Sequence, residues 1–335
     1  MKRYKRCGWF VVVLMSGLGL PAHAAPSLET INGIVAGFGP CGTIGVAPEL
    51  SSQFTFAPGD QPFGSTRAAC GYSGGYRNQV AASGPLTQHD SLGPVVLGPP
   101  LHSPGSYSGT ADSRASFGSL GAAAHSSIVG GLPEGEHALF NSVGTAFFSE
   151  SLIANSALAA SGSAGSVSYV FRVDGSLTSL GAPAAFFFGD TYMTLDVQHR
   201  NIGPISVANA TVRRGGLGTV KNGPPPAGWV TSTGSLSGGS TFVSLALPIV
   251  WGQAWDVKFG LLAWSYGTAD TNFLSTATLT GFEFFDANGV AVNSFSVSAA
   301  SGTDYLNAVP EPRAAVLLLA GLALLAWRKA GQRRG

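Results

Sequence analysis

The chain is poor in cysteine. It has three among 335 residues, and one of them, Cys7, lies in an N-terminal segment that we expect to be removed. The remaining lone pair, Cys41 and Cys70, excludes a disulfide-dense scaffold and leaves two alternatives open. A bridge would close a loop of about thirty residues and contribute roughly 3–4 kcal/mol in the chain-entropy model. Otherwise both cysteines are buried free thiols.

Charge is also scarce, because only 10% of the residues are Asp, Glu, Lys or Arg. Half of the basic residues lie near the two ends of the chain. Between Ala25 and Val309, nine Lys/Arg stand against sixteen Asp/Glu, which gives a net charge of −7. This mildly acidic body argues against nucleic acid or an anionic membrane surface as a partner.

Metal-binding and catalytic patterns are absent as well. The histidines after the leader show neither H-x-H nor H-E-x-x-H spacing, so we predict no metal and no cofactor. They are His89, His102, His125, His137 and His199. Residues 71–75 (Gly-Tyr-Ser-Gly-Gly) fit the G-x-S-x-G pattern of a nucleophile elbow. That motif needs a strand-to-helix turn, which the surrounding Gly-rich sequence does not indicate, and we predict a non-catalytic protein.

Glycine and proline are abundant, with 47 and 20 copies. Between Ile31 and Gly105 they recur every few residues, which forbids long helices and predicts short strands such as Gln53–Phe56. Helical evidence is confined to Leu152–Ala160, which has room for two turns. We therefore predict an all-β fold, an antiparallel β-sandwich or jelly roll. Its predicted parts are a leader (1–24), a Gly/Pro-rich part (25–106), a β-sandwich core (107–305) and a tail (309–335).

Strand patterns are clearest in the second half of the chain. Alternation in Ser166–Val173 places Val167, Tyr169, Phe171 and Val173 on one face, and Trp255–Trp264 alternates in the same way. The strands Thr276–Phe285 and Val290–Val297 form a predicted hairpin, since the intervening Asp-Ala-Asn-Gly supplies turn residues. Further strands are predicted at short intervals, namely Tyr107–Leu120, Ala146–Ile153, Ala184–Gly189, Met193–His199, Ser206–Val212 and Thr241–Leu247.

The N-terminal segment has the three parts of a secretory signal peptide. Lys2, Arg3, Lys5 and Arg6 precede an apolar stretch from Gly8 to Leu20. Ala22-His23-Ala24 is an A-x-A site, which predicts cleavage after Ala24 by signal peptidase following export through the Sec translocon. An uncleaved N-terminal anchor is the alternative.

The C-terminal tail also has three parts. Val309-Pro310-Glu311-Pro312 is held away from helical geometry by its prolines. Ala314–Trp327 is wholly apolar and is a predicted transmembrane helix that rises roughly 21 Å, short of the ~30 Å hydrocarbon core. Arg328-Lys329 and Arg333-Arg334 then predict a cytoplasmic end. An ordinary anchor behind a proline-rich stalk is the alternative.

This order of motif, helix and basic cluster resembles the PEP-CTERM sorting tail of Gram-negative surface proteins. The resemblance covers about a twelfth of the chain. It implies that an exosortase, a membrane-embedded transpeptidase, recognises Val309, Pro310, Glu311 and Pro312 and removes the tail near them. It also implies export to the cell surface and an association with exopolysaccharide or biofilm. The basic cluster departs from the pattern where Ala330-Gly331-Gln332 interrupts it.

Two features keep a carbohydrate-directed function open. Trp251, Trp255 and Trp264 could stack on sugar rings if exposed, although core packing is the commoner use of aromatic residues at alternating spacing. Five carboxylates lie on or near predicted strands and could include a hydrolytic pair, namely Asp190, Asp196, Asp256, Glu283 and Asp286. The leading hypothesis is a non-catalytic surface or matrix protein, with extracellular polysaccharide as a partner. The alternative is a carbohydrate-binding or carbohydrate-cleaving β-sandwich.

Overall fold

The computed structural model describes most of the chain between the predicted leader and the predicted tail. The described residues are 24–44, 67–97, 105–129, 138–179, 190–199, 206–214, 220–221, 229–232 and 240–306. Within them the chain forms strands and turns, and no helix is long and apolar enough to cross a membrane. The basic and apolar parts of the predicted signal peptide and the predicted transmembrane helix Ala314–Trp327 lie outside these ranges.

Seventeen strands are present in the described residues. Their bounds are β1 Ser27–Ile44, β2 Arg67–Ala81, β3 Leu86–Leu97, β4 Gly105–Ser116, β5 Ser119–Val129, β6 Ala138–Asn155, β7 Ala164–Ser179, β8 Asp190–His199, β9 Ser206–Arg214, β10 Val220–Lys221, β11 Trp229–Ser232, β12 Ser240–Ser244, β13 Leu247–Val250, β14 Ala254–Tyr266, β15 Ala269–Asp286, β16 Ala291–Val292 and β17 Ser296–Ala299.

These strands form two antiparallel sheets that enclose one core, which is the arrangement of a β-sandwich. Sheet A has the order β10-β9-β8-β14-β6-β1-β2, with β17 paired to β6. Sheet B has the order β11-β12-β7-β15-β5-β4-β3, with β13 paired to β7 and β16 to β15. The all-β prediction is therefore confirmed. Because β1 and β2 belong to sheet A and β3 to sheet B, the Gly/Pro-rich part supplies strands to both sheets.

The core follows from the period-two alternation of the strands. Val167, Tyr169, Phe171 and Val173 of β7 are all fully buried, as their spacing predicted. In sheet A the facing residues come from β6, β8 and β14, and Phe259 packs 4.5 Å from Phe148, ring centroid to centroid. Burial of this apolar surface is the main stabilising term of such a fold.

Part of the outer face of sheet A, on β1, β6 and β14, is buried too. A second cluster there comprises Ile31, Val143, Phe147, Leu262 and Trp264. Strand β14 therefore carries buried side chains on both sides, which explains its continuous apolar run from Phe259 to Trp264.

A polar network closes the sandwich along one side, where β1 faces β3 and β4. The Asn32 side chain donates to Ala111 O at 2.8 Å and accepts from Ser113 Oγ at 2.7 Å. Thr30 donates to the Gln88 side chain at 3.0 Å. All of these side chains are buried, so each needs its partner.

Three sequence predictions were wrong in detail. Strands β1 to β3 have 18, 15 and 12 residues, so the Gly/Pro-rich part does not form only short strands. The proposed helix at Leu152–Ala160 is the end of β6 followed by a turn. Tyr107–Leu120 is two strands rather than one, because the chain turns at Phe117-Gly118 with a φ of 85° at the glycine.

The predicted Asp-Ala-Asn-Gly hairpin is present, with a shorter second strand. Asp286 Oδ1 accepts from the backbone N–H groups of Asn288 and Val290 at 2.8 and 2.9 Å, and Gly289 has a φ of 77°. These bonds hold the pKa of the Asp286 carboxyl below its usual value. After β16 the chain leaves sheet B, and β17 pairs with β6 of sheet A.

Candidate functional site

The predicted processing residues lie at or beyond the ends of the described fold. Val309, Pro310, Glu311, Pro312 and Ala22 lie outside the described residues. Ala24 is the first described residue, and its backbone N–H donates to Asp256 Oδ2 at 3.0 Å. The side of sheet A that carries Asp256 therefore receives the segment at which signal-peptide cleavage is predicted.

The two candidate disulfide cysteines lie on neighbouring strands. Cys41 belongs to β1 and Cys70 to β2, and these strands pair antiparallel. Cys70 is the register partner of Phe38, next to an irregular stretch between Phe38 and Thr43 that contains Cys41. Their side chains are outside the described set, so the disulfide stays a prediction.

The three tryptophans considered for sugar stacking are buried. Trp251, Trp255 and Trp264 are 1%, 0% and 6% exposed. Trp251 and Trp255 pack against Phe284 in the core, while Trp264 stacks on Tyr266 with ring centroids 5.9 Å apart. Stacking on a sugar needs a ring face open to solvent. The stacking interpretation therefore has no support at these positions, and core packing accounts for them.

Trp255 also belongs to a hydrogen-bonded chain inside the core. Its Nε1 donates to Tyr169 Oη at 2.9 Å, and that hydroxyl lies 2.5 Å from His199 Nε2. His199 Nδ1 lies 3.2 Å from Pro248 O, a carbonyl that can only accept. His199 thus carries its proton on Nδ1, and Tyr169 donates to Nε2. Burial lowers the pKa of His199 to about 4 and raises that of Tyr169.

These groups are unsuited to catalysis. His199 is 1% exposed and Tyr169 is fully buried, so no substrate in solvent reaches them. The N–H groups of Trp255 and His199 and the hydroxyl of Tyr169 each donate to a partner, so these hydrogen bonds fix the orientation of the side chains across the core. We assign it a structural role.

The candidate carboxylates are divided between the two sheets. Asp196 of β8 and Asp256 of β14 both lie on the outer face of sheet A, where they are 1% and 6% exposed. Asp196 is the register neighbour of Gly260, four residues along β14 from Asp256. Glu283 and Asp286 belong to β15 of sheet B. The side chain of Asp190 is outside the described set. The four carboxylates whose side chains are described therefore do not converge on one groove.

The G-x-S-x-G match is a coincidence of composition. Ser73 lies within β2 at the edge of sheet A, paired with Ala36 of β1. A nucleophile elbow requires a sharp turn from a strand into a helix. An extended edge strand cannot supply that turn.

A different set of polar residues meets on the exposed outer face of sheet B, which we call the histidine face. His89 Nδ1 of β3 lies 2.6 Å from Asp112 Oδ1 of β4. His125 Nδ1 of β5 lies 3.5 Å from Asp270 Oδ1 of β15. The His89 and His125 side chains are 63% and 42% exposed.

The register places the two histidine–aspartate pairs close together. His125 is the partner of Thr110, two residues before Asp112 on the same side of β4. Ala123 of β5 is the partner of Asp112, so a small side chain lies beside that carboxylate. The face therefore offers solvent-exposed hydrogen-bond donors and acceptors.

The sequence did not reveal this face, because the four residues are separated by up to 181 positions and meet only through the strand order. The alternation of inward and outward residues in β4 and β5 was the signal in the sequence that could have placed Asp112 and His125 on one face. Within the described ranges, no group of three or more His, Cys, Asp or Glu is placed to hold a metal ion. Comparison with known proteins finds no match to this chain among family models, curated proteins or solved structures.

Proposed function

We propose that the protein is exported, processed by an exosortase at Val309–Pro312, and delivered to the cell surface or extracellular matrix. There it acts as a non-catalytic β-sandwich associated with extracellular polysaccharide. The observation that carries the proposal is the order of the tail: proline-bracketed glutamate, apolar helix, basic cluster. Each part has a physical use, namely extended backbone for a peptidase, lipid solubility and cytoplasmic retention.

The extent of the fold is compatible with processing at both ends. The described strands begin at Ser27 and end at Ala299, and the last described residue is Leu306. Cleavage after Ala24 and near Pro310 would leave every one of these strands intact. The low charge of the chain also suits a protein that resides outside the cell.

The experiment is the intact mass of the protein from a Gram-negative host with and without its exosortase gene. We expect the wild-type protein to lack residues 1–24 in both hosts, and to lack the tail only when the exosortase is present. The matched variant Pro310→Ala with Pro312→Ala should keep the tail in both. A wild-type mass that still includes residues 313–335 in the exosortase-positive host would refute the proposal.

The histidine face favours a second candidate, direct carbohydrate binding. It is exposed to solvent and carries hydrogen-bonding groups on neighbouring strands, which suits a polysaccharide that lies across the sheet. Titration of purified host exopolysaccharide against the wild type and the double variant His89→Ala, His125→Ala tests it. We expect at least tenfold weaker binding by the double variant, and none of this loss with the control Glu283→Gln on the same sheet. Equal binding by all three proteins would exclude the face as the site.

A further inference from the structure

We infer that the Asp256 carboxylate is a binding site for the α-ammonium group that signal-peptide cleavage creates on Ala25. The inference rests on the proposed export and cleavage after Ala24. It assigns a ligand, the new N terminus of the chain itself, to a carboxylate that the proposed function leaves without a role.

The contact that motivates it is already present in the uncleaved chain. Ala24 N donates to Asp256 Oδ2 at 3.0 Å, across 232 residues of sequence. Asp256 is 6% exposed, whereas Ala24 and Ala25 lie at the surface. A carboxylate removed from water to this degree depends on the donors around it. The first described residue of the chain supplies one of them.

The strand register explains why the N-terminal segment reaches Asp256. Ser27, the first residue of β1, pairs with Ser149 of β6, and Ser151 of β6 pairs with Asp256 of β14. Continuing β1 backward by two residues therefore brings Ala25 level with Ser151 and Asp256. Only β6 intervenes, and its outward side chain at that level is the small Ser151.

Cleavage changes the chemistry of this contact. Hydrolysis of the Ala24–Ala25 peptide bond consumes one water, releases the Ala24 carboxylate with the leader, and leaves a protonated amine on Ala25. The backbone N–H of Ala24 leaves with it. The nearest remaining nitrogen of the segment is the new ammonium, one residue or ~3.8 Å of Cα spacing further on. A neutral amide donor is replaced by a charged one, and hydrogen bonds between charged groups are the stronger kind.

Other charged groups on the outer face of sheet A affect how strongly Asp256 would attract the new ammonium group. Lys258, two residues along β14, is bonded to Glu29 Oε2 at 3.2 Å and lies 3.9 Å from the Phe147 ring centre. Asp196 of β8 accepts from Gln198 at 2.7 Å. Both Glu29 and Asp196 favour a cation nearby, while Lys258 opposes one. Arg200, which follows β8, lies outside the described residues.

The test is a double-mutant cycle measured by thermal unfolding. Each protein is expressed from the whole coding sequence and is exported and processed in a Gram-negative host. One change inserts Gly-Ser-Gly-Ser between Ala24 and Ala25, so that cleavage still follows Ala24 but the ammonium is displaced by four residues. The other is Asp256→Asn. Glu283→Gln, an exposed carboxylate on the opposite sheet, is the matched control. Intact mass fixes the N terminus of every sample.

We expect the insertion to lower the Tm by about 3–6 °C in the wild-type and Glu283→Gln backgrounds, and by less than about 1 °C with Asp256→Asn. Equal shifts in all backgrounds would overturn the inference while leaving the proposed function untouched. A mass showing that residues 1–24 are not removed would overturn both.

A second measurement does not depend on whether Asp256→Asn folds. Reductive dimethylation with ¹³C-formaldehyde gives the N-terminal amine an NMR signal that titrates with pH. Pairing with a carboxylate raises the pKa of the amine, so the processed wild type should titrate at least half a pH unit above the insertion variant. Identical titration midpoints would refute the pairing.

Discussion

Acidification should weaken this protein through one buried histidine. His199 is neutral in the core, accepting from Tyr169 and donating to Pro248 O, and burial lowers its pKa from 6.5 to about 4. Protonation of Nε2 would remove the acceptor and place a charge in the core. The unfolded chain therefore binds more protons than the folded chain between these two pKa values, and stability falls as the pH falls through that window.

The size of this loss of stability follows from the linkage between proton binding and folding. At 1.36 kcal/mol per pKa unit, a group that titrates at 6.5 unfolded and near 4 folded contributes about 2.5 kcal/mol less to stability at pH 4.5 than at pH 7.5. The assay is urea unfolding at half-unit intervals between these pH values. His199→Gln keeps a hydrogen-bonding side chain but cannot be protonated. Between pH 7.5 and pH 4.5, its free energy of unfolding should therefore fall by about 2.5 kcal/mol less than that of the wild type.

The control is His89→Gln, which changes a histidine that is largely exposed on the histidine face. It leaves His199 and its partners Tyr169 and Pro248 in place, so the loss of stability that His199 produces on acidification should remain. The carboxylates that titrate in the same pH range are common to the wild type and both variants, so their contribution to the pH dependence cancels in each comparison. The reasoning is refuted if His199→Gln and the wild type lose stability in parallel, within about 0.5 kcal/mol, from pH 7.5 to 4.5.

Four substitutions test the packing by chemical denaturation. Gly144→Val should destabilise the fold by about 3 kcal/mol or more, because a Cβ there meets backbone carbonyl oxygens of β4 and β5, whereas Gly281→Ala, with open space around it, should change stability by less than about 1 kcal/mol. Tyr305→Phe should cost about 1–3 kcal/mol, because it removes a 3.0 Å donor to a buried glutamate while keeping the ring. Asn32→Leu should cost about 3 kcal/mol, since it leaves buried partners on β3 and β4 unpaired, and a cost below 1 kcal/mol would contradict the bridging role.

The strands that the sequence predicted best are those where alternation and turn chemistry agree. Val167 to Val173 alternate strictly, and their inward residues are fully buried. Asp286 to Gly289 specify a tight turn by local bonds alone. In both cases the information is contained within a few consecutive residues, so no knowledge of the partner strands was needed.

The features that the sequence did not predict depend on contacts between residues far apart in the chain. Leu152 to Ala160 has residues compatible with a helix. Leu152 and Ala154 nevertheless alternate into the core on a stretch of β6 that pairs with β14 and β17, so tertiary burial decides the outcome. The Tyr169–His199–Trp255 chain joins residues 30 and 86 positions apart. Such contacts depend on strand order, which a single sequence does not fix.

The same limit applies to the tryptophans. Alternation from Trp255 to Trp264 predicted a strand but could not say which sides would be covered. Trp255 lies inward and Trp264 outward, and both are buried because β14 is covered on its two faces. The choice between core and ligand contact required the packing of sheet A.

Both ends of the described fold are held at one end of sheet A. Ala24 is bonded to Asp256 on β14, as described above. At the other end of the chain, Ser301 N and Tyr305 Oη donate to the two oxygens of Glu150 on β6, at 3.1 and 3.0 Å. Glu150 pairs with Val257, one residue from Asp256. The first described residue and the segment Ser301–Tyr305 are therefore held at the same end of sheet A.

If the proposed sorting tail anchors the precursor in the membrane, this geometry predicts that the end of sheet A that carries Asp256 and Glu150 lies nearest the membrane. Ten residues of β14 separate Asp256 from the turn after Tyr266, or about 33 Å at ~3.3 Å per residue. Fluorophores on Ser298→Cys at the near end and Val129→Cys at the far end compare the two positions. In an exosortase-deficient host, energy transfer to an acceptor on outer-leaflet lipid headgroups should be at least threefold stronger from the near label, and processing by exosortase should abolish the difference. Equal transfer from both labels in the precursor would mean that the tail does not hold this end of the sandwich at the membrane.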